Sequence, residues 1–345
     1  MRKILITGGA GFIGTHCVQW FARRYPNYFL VNLDKITYAA RPDALESMQH
    51  NPNYCFVSGD ICDSALVKTL FQRFNFDSVI HLAAETHVDR SIVDPLLFVQ
   101  TNVTGTAVLL QAAYEHWFKG PNQPKSTFET HRFLHVSTDE VYGALNDNHS
   151  LFVEHMPLAP NNPYSASKAG GECLVRSYGH TYGLNTLITR ATNNYGSGQH
   201  REKLISMVLH CALAAKPILL HGTGGSIRDW LHVEDHCSAM DILLHQGQPG
   251  QCYNIGARME RTNLSVAQTI CTLLDACKPL KNKSYASLIS FCAERLGQDR
   301  RYALDTSKIT QSVGWKPSIG FETGLQQLVH QSVGVRMLIG IRPLA

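Results

Sequence analysis

Four side chains in this sequence have types and spacing suited to acid–base chemistry: Tyr164 and Lys168, four apart, and the neighbouring carboxylates Asp139 and Glu140. On a helix, a separation of four puts two side chains on one face. An ammonium beside a phenol favours the phenolate, which turns tyrosine into a usable base. Thr138 precedes the carboxylates and can donate a hydrogen bond to a substrate hydroxyl. Two acids after an apolar run are ordinarily solvated turn residues. Beside a tyrosine base they supply two further proton-transfer groups, which a simple alcohol oxidation does not need.

The redox partner of that base is implied by a second pattern. Gly8, Gly11 and Gly14 follow an apolar run at residues 3–7 and open a helical stretch. Glycines there allow a tight turn and let the backbone approach a pyrophosphate at a helix N-terminus. Asp34 stands 20 residues beyond Gly14 at the end of the next apolar run. It is placed to accept both adenosine ribose hydroxyls and to repel a 2′-phosphate. No arginine sits beside it, only Lys35, so NAD is expected rather than NADP. Asp60, after the third run, is a candidate partner for the adenine amino group.

These groups need a scaffold, and the rest of the first half describes one. Apolar, β-rich runs at residues 3–7, 28–34, 54–59, 78–84 and 132–138 alternate with helical patterns at 12–24, 63–74 and 95–117. Continuous apolar strands separated by helices predict a parallel sheet covered on both faces, wound twice in the Rossmann manner. Thr138, Asp139 and Glu140 then fall at the carboxyl end of a strand, where open α/β sheets bind their ligands. After about residue 190 turn residues become frequent between short strands at 218–221 and 253–255. We expect an NAD-binding domain at 1–190 and a smaller C-terminal α/β lobe for substrate at 191–333, partly interleaved with the first. A tail at 334–345 stays unassigned, and 120–130 reads as an exposed loop.

Composition narrows the function classes. The chain has 345 residues, 44% hydrophobic and 17% charged, with a net charge of +4. That is globular composition, without the basic surplus of a nucleic-acid binder. No run of consecutive apolar residues has the length of a membrane helix, and the early glycines break any signal-peptide core. Ten cysteines without a CxxC pair suggest reduced thiols and a cytoplasmic protein. Seventeen histidines invite a metal site. However, His131 and His135 are too far apart on a strand to share an ion, and His232 and His236 lack the HExxH order, so no metal is expected.

Longer motifs carry a resemblance. TGGAGFIG (7–14), HLAAETHVDRSI (81–92), STDEVYG (137–143) and PYSASK (163–168) resemble the extended short-chain dehydrogenase/reductase superfamily. Within it, the sequence is most similar to the branch that dehydrates dTDP-glucose, and NNYG (193–196), EKLI (202–205), RDWLHVEDH (228–236), YNIG (253–256), ERTNL (260–264) and DRRYALD (299–305) continue the match to about residue 330. The resemblance implies that Tyr164, aided by Thr138 and Lys168, takes the sugar 4-hydroxyl proton while NAD accepts hydride. Glu140 would remove the C5 proton, Asp139 would protonate the departing 6-hydroxyl, and hydride would return to C6. It also assigns Phe12, Ile13, Lys35, Thr37, Ile61, Leu82, Ala83, Ala84, Thr101 and Asn194 to the surroundings of NAD, with Tyr164 and Lys168. The sugar nucleotide would meet Thr86, Thr138, Asn193, Lys203, Leu204, Arg228, Asn263 and Arg295. Arg228 can face a diphosphate as a charged fork, or pair with Asp229 or another acid.

A homodimer through residues 95–117 and 164–182 is a further implication of the resemblance. Two stretches depart from the branch, 197–201 (SGQHR) and 294–298 (ERLGQ), and by analogy both lie in the substrate lobe. Other readings remain. A dehydratase acting on UDP-glucose would keep the same catalytic set, since one methyl group in a base pocket discriminates little. A UDP-sugar 4-epimerase or decarboxylase would leave Asp139 and Glu140 without a task. A non-catalytic NAD-binding sensor would be expected to have lost one of the four reactive side chains, and all four are present.

Overall fold

A computed structural model describes residues 1–145, 149–297 and 299–334. The strands in chain order are β1 (Lys3–Thr7), β2 (Phe29–Asp34), β3 (Tyr54–Ser58), β4 (Ser78–His81), a small hairpin of β5 (Phe118–Gly120) and β6 (Gln123–Pro124), β7 (Arg132–Thr138), β8 (Thr186–Ala191), β9 (Asn193–Tyr195), β10 (Ile218–His221), β11 (Ile227–His232), β12 (Cys252–Ile255), β13 (Glu260–Thr262) and β14 (Ile289–Cys292). Seven of them form one sheet in the order β12-β8-β7-β4-β1-β2-β3. Every pairing in it is parallel. The order reverses at β1, and the crevice beside that switch point is where doubly wound sheets bind dinucleotides. The fold is thus a Rossmann sheet, as the alternating pattern predicts.

Alternating side chains of these strands feed two cores. Ile4 and Ile6 pack on one face with Val18 and Phe21 of α1 (Phe12–Arg24) and with Leu243 of α8 (Val233–Gln246). Leu5, Val31 and Val79 pack on the other with Phe71 of α2 (Ser64–Phe74), Leu110 of α5 (Gly105–Trp117) and Val175 of α6 (Pro163–Tyr182). Burial on both faces is what makes the strands continuously apolar. The run 95–117 is not one α-helix. It begins as α4 (Pro95–Val99), widens into a π-turn at Gln100–Thr104 and resumes as α5. It is 23 residues long and its most apolar 18 consecutive residues have a mean hydropathy of 1.3, enough in length and composition for a bilayer, yet it lies against α2 and α6 as a cover of the sheet. The segment 120–130, expected as loop, contains β6 of the hairpin and a 3-10 turn at Ser126–Phe128.

Five of the remaining strands build the second lobe. β9, β11 and β13 form a three-stranded sheet and β10 pairs with β14. Their core gathers Tyr195, Ile205, Trp230, Ile270, Leu274 and Phe321. The chain crosses between the lobes repeatedly: after residue 190 it returns to the large sheet for β12 and to its face for α8. The tail beyond Gly334 and Gln298 of the second unusual stretch lie outside the described residues.

Candidate active site

The cofactor half starts from backbone geometry. Gly8 has φ +72°, and a Cβ there would lie 2.6 Å from the Ala83 amide. A Cβ on Gly14 would lie 2.0 Å from the Gly8 carbonyl, so only glycine lets α1 sit this close to β1. Gly11 caps α1 without a side-chain hydrogen bond, leaving the first-turn amides for an anion. β4 stops at His81, earlier than its apolar run predicts; the Leu82 and Ala83 amides still reach Thr7 of β1, and Leu82, Ala83 and Ala84 line the cavity. That cavity, of about 300 Å³, is lined by all of Gly8, Gly11, Phe12, Ile13, Gly14, Asp34, Lys35, Thr37, Asp60, Ile61, Leu82, Ala83, Ala84, Thr101, Tyr164, Lys168 and Asn194. Thr101 reaches it from the π-turn, a distortion often found at functional sites.

Two acids there are already engaged. Asp34 accepts from the amides of Ala10 at 2.9 Å and Ile36 at 2.8 Å, which fixes its carboxylate at the cavity wall. Asp60 pairs with Lys35 at 2.7 Å. The cation that would be needed to neutralise a 2′-phosphate beside Asp34 is therefore already taken. A glycine cradle that tolerates no Cβ and an acid without a free cation fit NAD.

The helix that carries Tyr164 and Lys168 is specified locally. Asn162 caps α6 by accepting from the Ser165 amide at 2.9 Å within a capping box, and Pro163 occupies the first turn. Tyr164 and Lys168 follow one turn apart, 8% and 5% exposed. Lys168 Nζ donates to the Val136 carbonyl at 2.7 Å, and burial lowers its pKa to about 8 against the charge of Glu172. The sequence predicts that this ammonium lowers the tyrosine pKa. In the protein alone the balance is the reverse: burial, then the charge of Glu140, push the Tyr164 phenol upward, and a Thr138 hydrogen bond opposes them only in part.

The two carboxyl groups are differentiated by their surroundings. Asp139 is 2% exposed, and burial together with the charge of Glu140 holds its pKa well above the ordinary carboxylate value. Oδ1 takes the Thr138 hydroxyl at 3.3 Å, while Oδ2 is buried without a partner. Glu140 is half-buried. Burial raises it as well, opposed by the charges of Arg228 and Lys203 and by a hydrogen bond from Asn162. Both carboxyls are thus pushed toward the protonated form, Asp139 more strongly than Glu140, which has two cations nearby, and both line the cavity that Tyr164 lines.

A second cavity, about 370 Å³, adjoins the first along Thr86, Glu140, Asn193, Asn194, Gln199, Glu202 and Lys203. Leu204, Arg228, Asn263 and Arg295 line its remainder, so every residue anticipated for the sugar nucleotide lies on one of the two walls. Arg228 pairs with neither Asp229 nor any other described acid. Asp229 instead accepts from the amides of Ala257 and Met259. Arg295 forms a two-point ion pair with Asp89, at 2.8 and 3.0 Å. Among the described residues no group of three or more His, Cys, Asp or Glu side chains could hold a metal ion. His236 hydrogen-bonds Asn194 at 2.9 Å, and burial lowers its pKa to about 4.

Sequence reasoning passes over several wall residues. Asn162, Asp299 and Tyr302 line the second cavity and Glu202 both, although each lies within or beside a quoted motif. The motifs single out cations and miss the groups that hold them. The stretch 197–201, expected in the substrate lobe, also makes contacts on the cofactor side: His16 meets the Ser197 carbonyl at 2.9 Å, the rings of Tyr38 and His200 meet edge-on at 5.5 Å, and Arg41 occupies the space a Gly198 side chain would fill. The missing side chain at Gly198 is what admits the Arg41 guanidinium. In the stretch 294–298, Arg295 and Gly297 do line the second cavity.

Such a site, at the switch point of such a sheet, defines a short-chain dehydrogenase/reductase of the extended kind, whose dinucleotide cavity leads into a second one. The profile of the GDP-mannose 4,6 dehydratase family matches residues 5–328, and the chain belongs to that family. It is 46% identical over 332 residues to the dTDP-glucose 4,6-dehydratase of Haemophilus influenzae, covering 95% of this chain and 97% of the relative. It is 45% identical over 336 residues to dTDP-glucose 4,6-dehydratase 1 of Escherichia coli K12, covering 95% and 92%. Among solved structures it matches the dTDP-glucose 4,6-dehydratase of Bacillus anthracis in complex with NAD, with a TM-score of 0.84, 38% identity and 97% of each chain covered.

Proposed function

We infer that the protein is an NAD-dependent lyase that removes water from dTDP-glucose to give the dTDP-4-keto-6-deoxy sugar. The observation that carries this reading is the pair Asp139 and Glu140: one buried carboxyl pushed far toward its protonated form with an oxygen to spare, the other raised less and faced by two cations that favour its ionised form. Oxidation at C4 needs Tyr164 alone, whereas loss of water across C5 and C6 needs one base and one acid more. The names of the relatives, similar over nearly the whole chain, support the same substrate.

NAD, when bound, supplies a hydride acceptor that also gives the hydride back. Tyr164 takes the proton of the 4-hydroxyl. Because burial and Glu140 oppose its ionisation, it becomes a base only with positive charge nearby, from Lys168 and from an oxidised cofactor in the same cavity. The 4-ketone acidifies C5, and Glu140 takes that proton. Asp139 gives its proton to the 6-hydroxyl, which departs as water, and as the hydride returns to C6 Glu140 gives its proton back to C5. Thr138 accepts from the Glu140 amide at 3.3 Å and so sets the loop that carries both acids. Arg228, Lys203, Asn193 and Asn263 are the groups we assign to the sugar nucleotide, with Leu204 beside the base, Thr86 beside the sugar and Arg295 at the far wall. The glycine cradle, Asp34 and Thr101 hold NAD.

We assign NAD binding to residues 1–190 and sugar-nucleotide binding to 191–333, with the interleaving described above. A homodimer is part of the proposal. Val93, Leu96 and Val99 are 85%, 76% and 46% exposed beside α4, an apolar strip suited to a second copy. Light scattering that finds only monomers at micromolar concentration would remove it. A cytoplasmic setting is supported by ten free thiols. The activity is tested by incubating purified protein with dTDP-glucose and no added NAD, then weighing the product. Loss of one water establishes a dehydratase with retained cofactor. No loss, even with NAD added, overturns the reading.

A further inference from the structure

Arg228 is the cation on which the diphosphate assignment rests, and it is held without a carboxylate. Nη1 donates to the Ile227 carbonyl at 2.7 Å and Nη2 to the Asp299 carbonyl at 2.9 Å. The guanidinium lies over the Tyr302 ring, 4.4 Å from its centroid. Two other arginines of the fold are treated differently: Arg190 pairs with Glu172 at 2.6 Å, and Arg301 with Glu260 at 2.6 Å. A carboxylate would fix Arg228 but cancel its charge. Carbonyls and an aromatic face fix it and leave the charge for an anion.

The ring under Arg228 is itself tied down. The Tyr302 hydroxyl donates to one carboxylate oxygen of Asp299, and the other oxygen takes the Asn161 amide at 2.6 Å. Asn161 immediately precedes Asn162, which caps the catalytic helix α6 and hydrogen-bonds Glu140. Tyr302 and Asp299 are 2% and 5% exposed, and both line the second cavity with Arg228. The chain of contacts therefore runs from the substrate-facing cation in one lobe to the start of the catalytic helix in the other. Asp299 contributes to it three times, through its two carboxylate oxygens and its backbone carbonyl.

We propose that Asp299 and Tyr302 are positioning residues that hold Arg228 in register with Tyr164 and Glu140, so that anchoring a diphosphate places the sugar over the acid–base groups. This rests on the assignment of Arg228 to the sugar nucleotide. An arginine frozen before its ligand arrives loses less freedom on binding, which is where such a pair acts on affinity. Neither residue is expected to touch the reacting atoms.

The test uses the holoenzyme and dTDP as the probe. Tyr302→Phe keeps the ring and removes the tether. It should weaken dTDP binding by calorimetry about tenfold, the loss of one hydrogen bond to a charged group. It should raise KM by a similar factor while kcat falls by less than about threefold. Arg228→Lys should weaken dTDP at least as much, and adding Tyr302→Phe to it should cost almost nothing further, because both act through one guanidinium. Equal losses from Tyr302→Phe in both backgrounds, or no loss in either, overturn the positioning role. Asn161→Ala, which loosens Asp299 from outside the cavity, serves where Tyr302→Phe fails to retain NAD, and should show the same KM-weighted split. If Arg228→Lys itself leaves dTDP binding unchanged, the diphosphate assignment fails and the inference with it. If only the coupling is missing, the assignment stands and the inference alone falls.

Discussion

The two cavities that meet at Glu140 are built on different principles. The cofactor half is made by backbone: glycines that admit no Cβ, a bare helix N-terminus, and the ends of β1, β2 and β4. The half we assign to the sugar nucleotide is made by side chains from segments far apart in sequence, and its cations already make internal contacts. Lys203 donates to the Thr86 carbonyl at 3.0 Å, Arg295 holds Asp89, and Arg228 is held by carbonyls that leave its charge free. Part of this half, above all the Arg295–Asp89 pair, must exchange internal contacts for ligand contacts, so its affinity is a difference between two sets of bonds. Substitutions in the first half should therefore act nearly all-or-none on cofactor content, and those in the second should act by graded changes in KM.

The largest effect is expected at the junction of the halves. Glu140→Gln removes the C5 base while leaving Tyr164 and the cofactor cradle intact. Turnover should fall by about 10²–10⁴-fold, the usual worth of a general base. The enzyme should then stall with reduced cofactor, visible as nicotinamide absorbance. If turnover survives and no reduced cofactor appears, the junction is not where elimination occurs.

Asp139→Asn should be nearly as damaging to elimination, while raising stability. Folding keeps a proton on Asp139 that the unfolded chain releases at its ordinary, lower pKa. Between those two values the folded state binds the extra proton, so this residue makes stability fall as pH rises. Below the ordinary value it contributes nothing either way. Asparagine carries no such penalty. The variant should melt a few degrees higher at neutral pH and match the parent in acid, as thermal melts across pH would show. A lower melting temperature at neutral pH would mean that the carboxylate is compensated in the fold.

The next effect isolates the cofactor half. Gly14→Ala puts a methyl group 2.0 Å from the Gly8 carbonyl and must push α1 off β1. Overpacking of that kind costs ~1–3 kcal/mol, enough to weaken NAD about ten- to hundredfold. Cofactor content after gel filtration reads it. The KM for sugar nucleotide, measured with NAD in excess, should stay within about twofold if the two halves are energetically separate.

The contrast also explains what the sequence made legible. Five of the sheet's seven strands are readable, β1, β2, β4 and β7 as unbroken apolar runs because both faces are buried; β8 is missed because Thr186, Thr189 and Arg190 interrupt its apolar run, and β12 reads as part of the smaller lobe. The cradle is readable because backbone constraints select glycine. The ends of elements are less so: β4 stops at His81 although the apolar run continues through Ala84, and Leu82, Ala83 and Ala84 line a cavity. The π-turn at Gln100–Thr104 leaves no periodicity to detect. In the substrate half the motifs indicate which cations are present, but what holds them, such as Tyr302 under Arg228 or Asp89 on Arg295, comes from tertiary proximity alone. For the same reason spacing shows the ammonium beside Tyr164, while the burial and the Glu140 charge that push its phenol upward are invisible to it.

The smallest effect settles to which half the unusual stretch 197–201 belongs. By motif position it is substrate lobe. By contact it faces the other way, with His200 against the ring of Tyr38 and Tyr38 donating to Glu202 at 3.3 Å. Tyr38 is 38% exposed, so the ring contact lies at the lower end of the ~0.5–1.5 kcal/mol that aromatic pairs contribute. His200→Ala should then speed NAD release by about two- to threefold, followed by cofactor exchange, and leave the KM for sugar nucleotide unchanged. The opposite pattern, unchanged NAD release with a raised KM, would return the stretch to the substrate half. It would also mean that the contacts bridging Tyr38 to His200 and Glu202 are incidental to holding the cofactor, whose retention would then rest on the glycine cradle and Asp34.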